Sequence, residues 1–180
     1  MARRLKRPYR NILKTAAAIA LIVILKWLWG TISTMGHGTF EGEKTEILRR
    51  RNYLADKLLV SPEGVINEMP EAIGSQFQGE WAMYSCSMMS AALANISMLY
   101  PDEKEKSVGQ IDSLVKIVMS PELRQFDAAR WDEDPLESLD SDQSHMSYLS
   151  ILAWMISSYK TAGGNDKYDE LYHQLCATLH

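Results

Sequence analysis

The first 26 residues combine seven positive charges with an apolar run, and this pairing constrains the chain more than any other feature. Eleven residues without charge, 15–25, separate Lys14 from Lys26, and no acidic residue lies before Lys26. The positive charges come from Arg3, Arg4, Lys6, Arg7, Arg10, Lys14 and Lys26. A basic flank before an apolar run is typical of a segment addressed to a membrane.

The eleven-residue run is too short to cross a bilayer alone, because a span of about 30 Å needs about 20 mostly apolar residues. If the Lys26 ammonium snorkels to the headgroups and Trp27 and Trp29 occupy the interface, residues 12–32 reach that length. We therefore predict an uncleaved single-pass anchor within residues 1–33, with a cytoplasmic N-terminus and an extracytoplasmic main domain, periplasmic or extracellular. Removal of the segment as a signal peptide, cut near the small residue Ser33, is the alternative.

Charge is divided unevenly along the chain. Beyond residue 26, twelve basic residues face 23 acidic ones, a formal net charge of −11 for that part. Such a surface argues against a nucleic-acid partner, whose phosphates require a basic face. The motifs typical of nucleotide binding, serine hydrolysis and zinc proteases are also missing, and the histidines lack partners at metal-ligand spacing, so we expect no cofactor and no metal.

The chain has two cysteines, Cys86 and Cys176, which both fall in helical patterns. An exported domain permits one disulfide between them. Two small buried apolar residues are the alternative, and the sequence leaves both open.

Hydrophobic periodicity predicts an all-α domain over residues 43–180, joined to the anchor by a glycine-containing linker at 34–42. A first helix is expected from 43 to about 59, where Ser61-Pro62-Glu63-Gly64 breaks the pattern. The clearest helix is expected to start at Ser75, with Gln78 completing a capping box. Its apolar stripe comprises Phe77, Trp81, Tyr84, Met88, Ala92, Ile96 and Leu99.

Two antiparallel hairpins are expected from this helix onward. The first pairs it with a helix running to about Met119, whose apolar stripe is Val108, Ile111, Val115 and Val118. A short helix follows, started by Ser120-Pro121. In the second hairpin the first helix carries His145, Leu149, Leu152, Ile156 and Tyr159 on one stripe. Gly163-Gly164 ends that helix, and Asn165 caps a partner helix bearing Tyr168, Leu171, Leu175 and Leu179.

The paired helices resemble the first hairpins of an (α/α)6 toroid, the architecture of many glycosidases, polysaccharide lyases and terpenoid dehydratase-isomerases. The stretches that carry the resemblance, over about 75–180, are Gln78-Gly79-Glu80-Trp81-Ala82-Met83-Tyr84 and Ser144-His145-Met146-Ser147-Tyr148-Leu149. It implies a glycan-processing function. A complete toroid needs about twelve helices, and this sequence predicts five or six after the anchor. The expectation is therefore either the first part of a longer protein or an independent small bundle.

Residues 122–142 hold eight acids and are followed by His145. Paired carboxylates suit glycoside hydrolysis, since one donates a proton while the other activates water or attacks the sugar. The catalytic candidates are Asp132, Asp134, Asp142 and His145. Aromatic rings that could stack on sugars are Trp81, Tyr84 and Trp131.

Each of these interpretations has an alternative. The acids can equally form a solvated loop that caps helices, and His145 can be a buried core or capping residue. For the whole domain, the competing function is a non-enzymatic helical module that binds a protein partner through exposed apolar surface. Flexible methionines suit such a surface, among them Met83, Met88, Met89, Met98, Met146 and Met155.

Overall fold

The computed structural model describes residues 20–26, 40–139 and 145–179. These residues form helices and their connections, with no β-strand in the part described, so the all-α prediction is confirmed. The chain divides into two compact units, Met1–Arg49 and Arg50–His180.

In the first unit, residues 20–26 are helical (α1), and the side chains of Leu21 to Leu25 are each more than half exposed. The next helix, α2 (Phe40–Leu58), begins in this unit, three residues before the expected start at 43. No helix in the described ranges is long and apolar enough to cross a membrane. Apart from 20–26, the anchor expected at 12–32 lies outside the described residues and stays a prediction.

The second unit is organised around one long helix, α4, which packs against α3, α5, α6 and α7. Further pairs are α3 with α6, α5 with α7, and α7 with α8. The helices are α3 (Pro62–Asn67), α4 (Ser75–Leu99), α5 (Lys104–Val118), α6 (Pro121–Trp131), α7 (Met146–Thr161) and α8 (Asp169–Thr178). Short 3-10 turns at Glu71–Ile73 and Pro101–Glu103 precede α4 and α5. The α4/α5 and α7/α8 pairs are those expected from the sequence.

Capping explains where two of the helices begin. The Ser120 hydroxyl accepts the N–H of Leu123 at 3.3 Å, as expected for the start of α6. The same arrangement starts α3, where Ser61 Oγ accepts the N–H of Gly64 at 3.2 Å. The break predicted at Ser61-Pro62-Glu63-Gly64 is confirmed, since α2 ends at Leu58, and the same residues also start α3 because proline suits the first helical position.

The capping box predicted at Ser75 is also wrong. Gly74, at φ +83°, takes the capping position without a side-chain hydrogen bond. Gln78 instead donates from Nε2 to the Met69 carbonyl at 3.2 Å. The partner helix of the second hairpin likewise begins at Asp169 rather than next to Asn165, whose Oδ1 accepts hydrogen bonds from Tyr159 and Lys167.

The core confirms two of the predicted stripes. On α5, Ile111, Val115 and Val118 are fully buried, and Val108 packs against them. On α7 the whole predicted stripe is buried: His145, Leu149, Leu152, Ile156 and Tyr159.

For α4 the predicted stripe is wrong, since Ile96 is its one buried member and the other six are exposed. The buried arc consists largely of small or flexible residues, among them Gly79, Ala82, Met83, Cys86, Ser90 and Leu93. The Ser90 hydroxyl donates to the Cys86 carbonyl at 2.9 Å, so serine needs no partner from a neighbouring helix to be buried here. Small residues let several helices approach α4 closely, and this places its bulkiest side chains on the remaining face.

Candidate functional site

Asp134, one of the predicted catalytic acids, is bound to the preceding helix. Its Oδ2 accepts a hydrogen bond from Arg124 Nε at 2.6 Å, and its Oδ1 accepts the N–H groups of Leu136 and Glu137 at 2.9 and 3.3 Å. Arg124 also donates from Nη1 to the Met119 carbonyl at 2.8 Å. The carboxylate therefore ties the loop after α6 back to the start of that helix.

These contacts determine the charge of Asp134. Partial burial by itself raises the pKa of the carboxyl, but the N–H of Leu136 and the Arg124 guanidinium lower it more, and the net pKa lies below its ordinary value. A general acid in glycoside hydrolysis needs a raised pKa, so that the carboxyl still holds its proton when substrate arrives. Asp134 has the opposite electrostatic environment.

Asp132 occupies the C-terminal cap of α6 in the left-handed conformation, at φ 57° and ψ 30°. Its backbone N–H donates to the Ala128 carbonyl, and its side chain is exposed. Aspartate is among the few non-glycine residues that adopt this conformation readily. The backbone position of Asp132 is thus accounted for by helix termination.

His145, the third described catalytic candidate, is buried together with Asp127 of α6. His145 Nδ1 lies 2.5 Å from Asp127 Oδ2, and the two side chains are 1% and 5% exposed. The Trp131 ring meets the His145 ring edge-on, with centroids 6.3 Å apart. His145 Nε2 is buried and has no hydrogen-bond partner among the described residues. The pair joins the start of α7 to α6, out of reach of a dissolved substrate.

The structure thus brings only part of the predicted site together. Trp131 and His145 are in contact, while His145 and Asp134 both bind side chains of α6. Asp142 lies outside the described residues. Trp81 and Tyr84 lie on α4, and within the described ranges no hydrogen bond or ring contact connects them to the acids.

Sequence reasoning missed the partner of His145. Asp127 was one acid among eight, and nothing in the sequence distinguished it. Its position four residues before Trp131, hence on the same side of α6, was the available signal.

An open cleft of about 860 Å³ lies between the loop after α6 and helix α8. Glu133 and Glu137 line it, but none of the predicted catalytic residues and no aromatic ring do so. Its lining is completed by Leu136, Ser138, Leu139, Gln174, Ala177 and Thr178. Without a stacking surface, the cleft lacks the feature that the sequence led us to expect of a sugar site.

The most distinctive surface is the side of α4 that no other described helix of the second unit covers, which we call the outer face of α4. Its exposed members are Phe77, Trp81, Tyr84, Met88, Ala92, Asn95, Met98 and Leu99. The six large apolar side chains among them are between 38% and 64% exposed. Solvent-exposed apolar residues are common singly, whereas a continuous row along one helix marks an interaction surface.

The outer face is long, straight and almost uncharged. The positions 77, 81, 84, 88, 92, 95 and 99 advance by steps of three and four, so they follow the 3.6-residue period along about 33 Å of helix. Glu80 is the one charged residue of α4, which contains neither lysine nor arginine. The surface offers apolar contact and shape, with little to attract a charged ligand.

The described ranges give no support for a metal site or for a disulfide or reactive cysteine. No group of three or more histidine, cysteine, aspartate or glutamate side chains there could hold a metal ion. Cys86 and Cys176 are both free, and burial raises the pKa of the Cys86 thiol to about 12, which leaves it protonated and unreactive.

No protein-family model, curated protein or solved structure matches this chain.

Proposed function

We propose that this chain is a membrane-anchored, non-enzymatic helical module that binds a protein partner through the outer face of α4. The observation that carries the proposal is the exposed row of three aromatic rings and two methionines on the central helix of the second unit. Leaving such a surface in water is unfavourable by about 25 cal/mol for each Å² of apolar area, and a partner that covers it recovers this free energy.

The composition of the outer face suits binding to protein. Tryptophan, tyrosine, phenylalanine and methionine are the residues enriched in the centres of protein interfaces, where charged residues are depleted. Met88 and Met98 add flexible side chains that adapt to the shape of a partner. An amphipathic helix laid along α4 would meet a straight apolar stripe of matching period.

Carbohydrate processing has less in its favour. Asp134 is held ionised by Arg124, and His145 is sealed in a pair with Asp127. Trp81 and Tyr84 lie on α4, on a different element from these groups. One result would favour the enzyme over the binding module. The unchanged chain would turn over a glycan, and this activity would be lost when alanine replaces Asp132, Asp134, Asp142 and His145.

The membrane anchor is part of the proposal. It is supported by the seven cations before residue 27 and by the exposed apolar side chains of the helical stretch 20–26. An anchored chain stays with the membrane after extraction at alkaline pH. Release of the full chain into the supernatant would contradict the anchor without affecting the argument for α4.

The test of the binding module is site-specific photo-cross-linking of the full chain in the cells that express it. Benzoylphenylalanine is placed at Met88, on the outer face, or at Glu105, an exposed position on α5 that serves as the control. We expect a discrete protein adduct from position 88 and none from position 105. The adduct should disappear when Trp81→Lys is introduced. If position 88 gives no more adduct than position 105, the outer face of α4 is not an interface.

A further inference from the structure

Seven of the eight exposed residues of the outer face of α4, all except Met98, are spaced symmetrically about Met88. Towards the N-terminus its residues lie at steps of four, three and four, which reach Tyr84, Trp81 and Phe77. Towards the C-terminus the same steps reach Ala92, Asn95 and Leu99. When two copies of α4 are laid antiparallel with Met88 against Met88, each of these seven residues therefore faces one of the seven in the other copy.

We infer that the partner of the outer face is a second copy of this chain, an inference that rests on the proposed function. The two α4 helices would pair antiparallel around a two-fold axis at Met88. A two-fold interface uses the same patch on both subunits, so the patch must be complementary to itself. A palindromic spacing meets this requirement.

The side chains that come to face each other differ in size. Tyr84 faces Ala92 of the other copy, and Trp81 faces Asn95, whose amide oxygen is an acceptor for the indole N–H. Phe77 faces Leu99. The bulky half of each helix thus lies against the smaller or more flexible half of its partner, which is the interdigitation that close helix packing needs.

The exposed area matches what a dimer requires. If each large side chain has about 200 Å² of surface, half exposure of six of them leaves on the order of 600 Å² uncovered per chain. Two such faces would bury about 1,200 Å², the lower end of the range for specific protein interfaces. The six are Phe77, Trp81, Tyr84, Met88, Met98 and Leu99.

Charge favours a second copy over a lipid surface. Helices that lie in the membrane interface carry lysine or arginine that binds the headgroups, and α4 has neither. Two copies of a chain whose part beyond residue 26 carries a formal charge of −11 repel each other except through a face without charge. The outer face of α4 provides such a face, with Glu80 as the one charge on the helix.

Disulfide trapping of the full chain tests the inference, in the detergent-free cell fraction that contains the protein and in a Cys176→Ser background. Buried Cys86 stays unreactive because its thiol remains protonated. Antiparallel helices packed about 8–10 Å apart bring two Met88→Cys thiols within disulfide range at the axis. We expect Met88→Cys to give a covalent dimer on oxidation, and the exposed control Glu105→Cys to give none.

Two further variants fix the direction of pairing. Phe77 lies eleven residues from Met88, so two Phe77→Cys thiols are about 33 Å apart in an antiparallel pair. Phe77→Cys alone should give no dimer, but mixed with Leu99→Cys it should give one. Dimers from Phe77→Cys alone indicate parallel pairing and overturn the inference. Circular dichroism of each variant confirms that its helices are intact.

If none of the cysteine variants forms a disulfide-linked dimer, the inference is also wrong. Photo-cross-linking at Met88 then shows whether the proposed binding module fails as well. If position 88 still gives a discrete adduct whose mass is not twice that of the chain, another protein covers the outer face, and the binding module stands without the second copy. If it gives no adduct either, both proposals fail.

Discussion

At the scale of single residues, Asp134 and His145 resembled catalytic groups in the sequence but contribute side-chain contacts that hold the fold, and Asp132 contributes through its backbone. Asp134 joins a loop to Arg124, Asp132 ends α6, and His145 pairs with Asp127 in the interior. Loss of either partner of the His145–Asp127 pair should be strongly destabilising, because a buried polar group without its partner bears the full desolvation penalty.

Replacing Asp127 by alanine should lower the free energy of unfolding by about 2–4 kcal/mol, because it leaves the His145 ring buried without a hydrogen bond at either nitrogen. Urea unfolding of the full chain, followed by circular dichroism, measures this loss. Glu122→Ala is the control, since Glu122 is exposed on the same helix. This substitution should change the free energy of unfolding by less than about 1 kcal/mol. Equal effects of the two substitutions would show that the pair contributes nothing specific.

Asp112 on α5 provides the clearest pH-dependent contact. Its Oδ1 accepts hydrogen bonds from Lys167 and Tyr168 at 2.5 and 2.7 Å, and its Oδ2 lies 2.8 Å from Lys116 Nζ. Partial burial raises the pKa of the carboxyl, but Lys116, Lys167 and Tyr168 outweigh it and lower the pKa to about 2. In the unfolded chain the pKa of an aspartate is about 3.9.

A carboxyl whose pKa is lower in the folded state stabilises the fold above its unfolded pKa, and this contribution is lost as pH falls towards the folded pKa. Asp112→Asn should therefore be less stable than the natural chain at pH 7. The difference should shrink between pH 4 and pH 2, the window set by the two pKa values. Unfolding midpoints of both chains across this range measure it. A difference that is constant with pH would mean that Asp112 does not act through its charge.

At the scale of helices, the sequence was informative where one face is polar. The stripe of α5 could be predicted because lysine, glutamate and serine occupy its outer side. The stripe of α7 was predicted from its apolar period alone, since the outer side of that helix also carries Met146 and Trp154. For α4 the prediction failed because apolar or small residues surround the whole helix. Pattern alone could not choose the buried arc, which is decided by four packed neighbours. For the pairing of His145 with Asp127 the sequence offered only the position of Asp127 one turn before Trp131, since the two paired residues are separated by 18 positions and a loop.

Gly79 tests the close packing of α4 on α6. A Cβ added there would lie 2.7 Å from Phe126 Cβ, so Gly79→Ala forces the helices apart. The steric overlap should lower the free energy of unfolding by about 1–3 kcal/mol. This exceeds the gain of about 1 kcal/mol from replacing glycine by alanine within a helix, so the variant should be less stable.

Gly109 is the matched control, because it lies on α5 with no atom near its added Cβ. Gly109→Ala should stabilise the chain by about 0.5–1 kcal/mol. Thermal unfolding of the two variants measures effects of opposite sign. Stabilisation by both would mean that α4 and α6 are not in close contact.

Across the whole molecule, a predicted N-terminal anchor precedes a helical unit whose outer face of α4 became evident only in the structure. From the sequence, Trp81 and Tyr84 were predicted as rings that stack on sugars, and a protein partner was predicted as an alternative function of the domain. The sequence could not show that these rings share one uncovered face with Met88 and Leu99. That face is what turns a helical bundle into a candidate interaction module.

Maleimide labelling tests directly whether a partner covers the outer face of α4. The measured quantity is the rate at which a water-soluble maleimide labels Met88→Cys, in a Cys176→Ser background and in the detergent-free fraction of expressing cells. The reference is Glu105→Cys, which is exposed on α5. If the outer face of α4 is covered, position 88 should react about tenfold more slowly than position 105, and Trp81→Lys should remove the difference. Equal rates at positions 88 and 105 in the otherwise unchanged chain would show that nothing binds the face, and would contradict the account.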